Sequence, residues 1–215
     1  MRVSYPIKKT GLLLLDPYND FLAPEGKLWP FAKEVAEQVN LLANLKSVMD
    51  TARKIKMQIF FVPHHRWVPG DFLRWKYPSN TQVASGKRQT FQKGTFGGTF
   101  HKDFQPQPED IIIQEHWAQS GFANTDLDQQ LKQHGIERIV IIGMLANTCV
   151  ESTGRFGMEL GYHVTLVKDA TAAFTKEAMH AAHEINGPTY SHAIFTTNDL
   201  IAQLEKDAAE QSAAA

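Results

Sequence analysis

The chain has 215 residues, 43% of them hydrophobic, with 22 Lys+Arg against 23 Asp+Glu and a formal net charge of −1. That is enough apolar material for one domain, 1–215, with a proper core. The near-balanced charge argues against an electrostatic grip on nucleic acid or an anionic membrane. A lone cysteine excludes an intrachain disulfide. With no signal-peptide core after Met1 and no apolar run long enough for a bilayer, the expected location is cytoplasmic.

In chain order, an apolar strand is expected at 11–15 and a helix at 32–53, where Val35, Val39, Leu42, Leu45 and Met49 share one stripe. Strand two is expected at 58–62. Residues 63–110 are too long for an ordinary connector and read as a lid or an oligomer contact. Further strands are expected at 111–114, 139–142, 163–167 and 193–196. Helices at 125–134, 148–160, 176–186 and 198–206 alternate with them, and the low-complexity tail 208–215 is expected to fray. Alternating strands and helices predict a Rossmann-like α/β fold, three-layer α/β/α, with a six-stranded parallel sheet. The usual doubly wound order sets the first and fourth strands side by side at the switch point.

Two residues at that edge carry chemistry. Cys149 follows the strand ending at Ile142 and the break at Gly143, which puts it in the first turn of the next helix. Free N–H groups and the helix dipole are expected there to lower its pKa and favour a nucleophilic thiolate. Asp16 ends the Leu12-Leu-Leu-Leu strand where Pro17 stops the ladder, and the topology places it across the crevice from Cys149. Asp20, in the loop beyond, reads as a turn or cap residue.

These residues sit in four motifs: Leu-Leu-Leu-Asp16-Pro-Tyr-Asn19-Asp20-Phe21, Ser120-Gly-Phe122-Ala-Asn-Thr125-Asp-Leu127, Gly143 through Cys149-Val150, and Val167-Lys-Asp169-Ala170. In that order and spacing they resemble the isochorismatase-like cysteine hydrolases from about Gly11 to Thr197. The resemblance implies an Asp–Lys–Cys triad that hydrolyses amide-type C–N bonds, with Asp16 as general base and Cys149 as nucleophile. It also implies a cis peptide at Met144–Leu145 and an oxyanion hole from the amides of Leu145 and Cys149. The implied function is cofactor-independent hydrolysis of a small amide or ureido compound through a thioester. Two rivals stand beside it: a vinyl-ether hydrolase of the isochorismatase kind, in which the thiol is idle, and a non-catalytic relative. A homodimer or homotetramer is implied as well.

The chain departs from the pattern at the lysine. Glu115 sits where the lysine belongs, with one extra residue before Ser120, and a different gapping puts His116 there instead. With Glu115 in place, two carboxylates near a thiol would disfavour the thiolate, unless they share one proton or a loop cation (Lys87, Arg88 or Lys93) compensates. Phe21, Trp117 and Phe122 are the expected substrate contacts. Trp67, Phe72, Trp75, Tyr77, Phe91 and Phe96 give the long segment an aromatic character suited either to an interface or to an apolar pocket. No metal is expected, because His64-His65 lacks accompanying ligands and His180 and His183 read as a solvated helix face. The Gly94-Thr-Phe-Gly-Gly98 stretch opens no helix after a strand and reads as lid rather than phosphate loop.

Overall fold

The computed structural model describes residues 3–214. The strands β1 (Thr10–Leu15), β2 (Gln58–Val62), β3 (Ile111–Ile112), β4 (Arg138–Met144), β5 (His163–Ala172) and β6 (Ala193–Phe195) form one sheet, ordered β3-β2-β1-β4-β5-β6. Every neighbouring pair is parallel. β1 is buried at every position, as a central strand covered on both faces must be. Its side chains alternate between two cores. Leu12 and Leu14 join the core made with α2 (Trp29–Gln38), α3 (Leu41–Lys54) and α8 (Thr197–Ala213). Leu13 and Leu15 join the one made with α5 (Leu127–Gln133) and α6 (Glu151–Glu159).

β1 and β4 lie side by side, and the pairing runs as far as Leu15 opposite Gly143. Gly143 has φ +114°, and a Cβ there would collide with the backbone of Leu15. Only glycine lets the two strands meet this closely where they deliver Asp16 and the turn carrying Cys149.

Three sequence expectations change. The helix expected over 32–53 is two helices, α2 and α3, broken where Asn40 turns left-handed at φ +56°; asparagine tolerates that conformation better than most residues. The helix expected over 176–186 is α7 (Lys176–His180) continued by a π-helical turn, Ala181–Asn186. The tail does not fray at 208, because α8 continues to Ala213. Gln211 on that extension hydrogen-bonds Ile7 N and Tyr5 O, and Asp207 accepts from Tyr5 N. These side chains tie the helix to the N-terminal segment, a contact that composition does not reveal.

The segment 63–110 carries α4 (Asn80–Arg88), which opens on a capping box between Ser79 and Gln82. Its return path is pinned from below. Asp20, in the short α1 (Asn19–Leu22), is buried and accepts from Phe91 N at 2.6 Å and Lys27 N at 3.0 Å. Gly97 packs on the same carboxylate so closely that a Cβ would overlap it. Asp20 therefore does more than end a turn: it staples the long segment over the edge of the sheet.

Candidate active site

Asp16 stands one residue past β1 with φ +52°, a left-handed turn that aspartate accepts more readily than most side chains. It is fully buried. Oδ1 is hydrogen-bonded by His116 Nε2 at 3.0 Å, and Oδ2 has no hydrogen-bond partner among the described residues. Cys149 lies in a π-helical turn, Ala146–Val150, that leads into α6 and follows a cis peptide at Met144–Leu145. The ligand-type atoms of Asp16, His116 and Cys149 all lie within 4.8 Å of one another. Cys149 Sγ makes long contacts of 3.9 Å with Thr148 Oγ1 and Ala118 O.

The pKa expectation for Cys149 is reversed. Burial pushes the thiol well above its ordinary value, and the negative charge of Asp16 pushes it further. Hydrogen bonding from Thr148 and the Leu145 backbone works the other way and does not overcome them. Helix-end N–H groups help a buried thiolate only weakly against a carboxylate at this range. At neutral pH the sulfur keeps its proton.

Glu115 is not where the sequence placed it. Its carboxylate is held by Arg66, through Nε at 2.6 Å and the backbone N at 3.0 Å, with His65 Nδ1 at 3.4 Å. Burial works to raise the Glu115 carboxyl, but the hydrogen bonds from His65 and Arg66 overcome it and hold it at about 2. His65 in turn bonds Asp71 at 2.8 Å, and these two carboxylates raise its pKa in spite of burial. Glu115 thus anchors the loop after β2.

His116 takes the place beside Asp16. Beyond β3 the pairing with the β2 side continues, with Ile113 N to Phe61 O, His116 N to Pro63 O and His65 N to His116 O, all between 2.8 and 2.9 Å. Ile113 and His116 are both buried, whereas Gln114 is exposed and Glu115 half-buried. Inward positions three apart break the two-residue alternation of a strand, as an extra residue in a bulge does. The residue in excess before Ser120 was the available signal. It showed that one position was shifted, but not which one.

Above Asp16 and Cys149 opens a cavity of about 780 Å³. Phe21, Leu28, Phe91 and Phe174 form apolar walls, and Ser79, Gln82 and Arg88 from α4 and its cap roof it. Asp16 and Arg88 are the Asp, Glu, Lys or Arg side chains in its lining. His64 also faces it, made weakly basic, at about 4, chiefly by burial and then by His116, whose ring centroid is 5.0 Å away. Leu145 lines the cavity too, so the pair expected to form an oxyanion hole borders the same space.

Of the three expected substrate contacts, Phe21 borders the cavity and the other two do not. Trp117 stacks on His65, with ring centroids 3.6 Å apart, outside the cavity wall. Phe122 is buried in the α5/α6 core, stacked against Phe156 and Tyr162. Phe72 and Phe91 of the long segment line the cavity instead. His183 is likewise no solvated residue: it is buried and its Nε2 lies 2.8 Å from Thr171 Oγ1. Among the described residues, Asp16, His116 and Cys149 form a donor set that could hold a metal ion, a grouping not expected from the sequence.

Comparison with known proteins agrees with this architecture. The chain is 28% identical over 205 residues to the ureidoacrylate amidohydrolase RutB of Caulobacter segnis, spanning 90% of this chain and 84% of that one. It is 29% identical over 206 residues to the RutB of Caulobacter vibrioides, covering 90% of each. Among solved structures, a cysteine hydrolase from Pseudomonas syringae pv. phaseolicola superposes with a TM-score of 0.78 at 22% identity, over 96% of this chain and 97% of that one. The N-carbamoylsarcosine amidase of Thermoplasma acidophilum does so with a TM-score of 0.63 at 24% identity, over 88% and 97%. The family model of the Isochorismatase domain matches residues 10–209, and with the sheet order and the Asp16–Cys149 crevice in place, the chain belongs to the isochorismatase family.

Proposed function

We propose that this protein hydrolyses a C–N bond of a small amide or ureido compound through a thioester on Cys149. The observation that carries the reading is the juxtaposition of the Asp16 carboxylate with the Cys149 thiol, within 4.8 Å, at the base of a cavity large enough for a small molecule. The relatives' names, ureidoacrylate amidohydrolase and N-carbamoylsarcosine amidase, support a substrate bearing a ureido or carbamoyl group.

The chemistry follows from the protonation state. Because the thiol is protonated at rest, attack on the substrate carbonyl carbon is coupled to transfer of its proton to Asp16. The oxyanion that forms points to the amides of Leu145 and Cys149, where the first turn after β4 leaves N–H groups unpaired within the helix. Collapse of the tetrahedral adduct breaks the C–N bond, and Asp16 returns the proton to the leaving nitrogen. A water then gives its proton to Asp16 and adds to the thioester, and the sulfur leaves with that proton. His116 does not line the cavity. It is a positioning residue, whose Nε2–H holds Asp16 Oδ1 and leaves Oδ2 free for proton transfer. Arg88 supplies a cation on the cavity roof, suited to a carboxylate at the far end of the substrate.

The test is mass spectrometry of protein incubated with a panel of small amides and ureido acids. An acyl or carbamoyl adduct on Cys149, and loss of turnover in Cys149→Ala, support the reading; full turnover in Cys149→Ala refutes it. We further infer a cytoplasmic homodimer or homotetramer, supported by the exposed Leu73, Trp75 and Tyr77 on the long segment.

A further inference from the structure

We propose that Asp16, His116 and Cys149 form a binding site for a thiophilic divalent cation, zinc being the type, and that its occupancy shuts the enzyme off. The inhibitory part rests on the hydrolase reading above; the binding part does not.

Three observations support the site. One ligand-type atom from each of the three side chains lies within 4.8 Å of the others, and all three residues are buried. Asp16 Oδ2 is buried and, among the described residues, has no hydrogen-bond partner beyond the Cys149 thiol beside it, so the cluster has acceptor capacity that the folded chain does not use. The set is one carboxylate, one imidazole and one thiol, a mixture that suits zinc, cadmium or cobalt and not magnesium or calcium.

Geometry decides whether a cation fits. Zinc bonds of about 2.0–2.3 Å at tetrahedral angles put ligand atoms roughly 3.3–3.6 Å apart. The widest separation, at most 4.8 Å, must therefore close by a little over 1 Å. The fourth position faces the cavity, which Asp16 and Cys149 both line. Binding releases the thiol proton to solvent and leaves a metal thiolate, so the sulfur is no longer free to attack and Asp16 is no longer free to take a proton.

A lysine at position 116 would end this property, because an ammonium has no lone pair and repels the ion. The experiment is a titration of the metal-free protein with Co²⁺, followed by the thiolate-to-cobalt charge-transfer band, then displacement by Zn²⁺. One ion per chain is expected, with binding weakened about 100-fold or more in Cys149→Ala and in His116→Lys. Glu115→Gln, which removes a carboxylate outside the cluster, should bind as the parent does. Hydrolysis by the metal-free enzyme should fall as Zn²⁺ fills the site and return with a chelator. No charge-transfer band, an affinity unchanged by His116→Lys, or hydrolysis stimulated by Zn²⁺ would each overturn the proposal. The two readings fail separately: binding is scored by the band whether or not any amide is turned over, and Cys149-dependent turnover without a band would leave the hydrolase reading intact.

Discussion

Replacing Asp16 with asparagine separates charge from shape at the centre of the site. Asparagine accepts the left-handed turn at φ +52° about as well as aspartate, and its carbonyl can still accept from His116 Nε2. What disappears is the negative charge. An ionised carboxylate within 4.8 Å of Sγ opposes a thiolate by at least about 3.5 kcal/mol at an effective dielectric of about 20. Asp16→Asn should therefore lower the Cys149 pKa, since one of the causes that raise it is removed. The rate of iodoacetamide alkylation against pH reads this directly, and the variant should react faster at neutral pH. Turnover should move in the opposite direction, falling by about 100- to 10,000-fold, because the group proposed to carry the proton to the leaving nitrogen is gone. A more reactive thiol with less hydrolysis is the signature of a base that both suppresses the thiolate and shuttles its proton. An alkylation profile that stays put or moves to higher pH would refute the electrostatic argument. Retained turnover would refute the role of Asp16.

Other consequences can be checked separately. Glu115→Gln should leave turnover within a few-fold and cost about 1 kcal/mol in a urea melt, because it loosens a half-exposed contact to Arg66; loss of turnover in a stable variant would restore Glu115 to the site. Burial holds His64 and His183 at about 4 in the folded protein against 6.5 unfolded. The unfolded chain therefore binds protons first as pH falls, so the contribution of these two histidines to stability should decline between 6.5 and 4, by about 3 kcal/mol for each. A melting temperature that is constant across that window would contradict it. Arg88→Met should raise KM about 10- to 100-fold for a carboxylate-bearing ureido substrate and spare neutral amides; equal effects on both would remove Arg88 from substrate recognition.

Much of this was legible in the order of residues. Apolar runs of strand length alternating with helical stripes were enough for the six-stranded parallel sheet, and the doubly wound connection placed β1 beside β4. Asp16 and Cys149 came together for that reason alone, since both follow buried strands at the same edge. The identity of the residue beside Asp16 was decided only by tertiary structure. A strand read by alternation puts Glu115 and Ile113 on one face, but past Ile112 the chain does not keep that alternation: His116 turns inward and Glu115 is left to Arg66 and His65. Trp117 and Phe122 moved out of the site through the same kind of competition, one stacked on His65 and the other taken into the α5/α6 core. The thiol's pKa was out of reach for a related reason. A helix-end position is visible in sequence, whereas burial and the distance to a carboxylate 133 positions away exist only once the chain has folded.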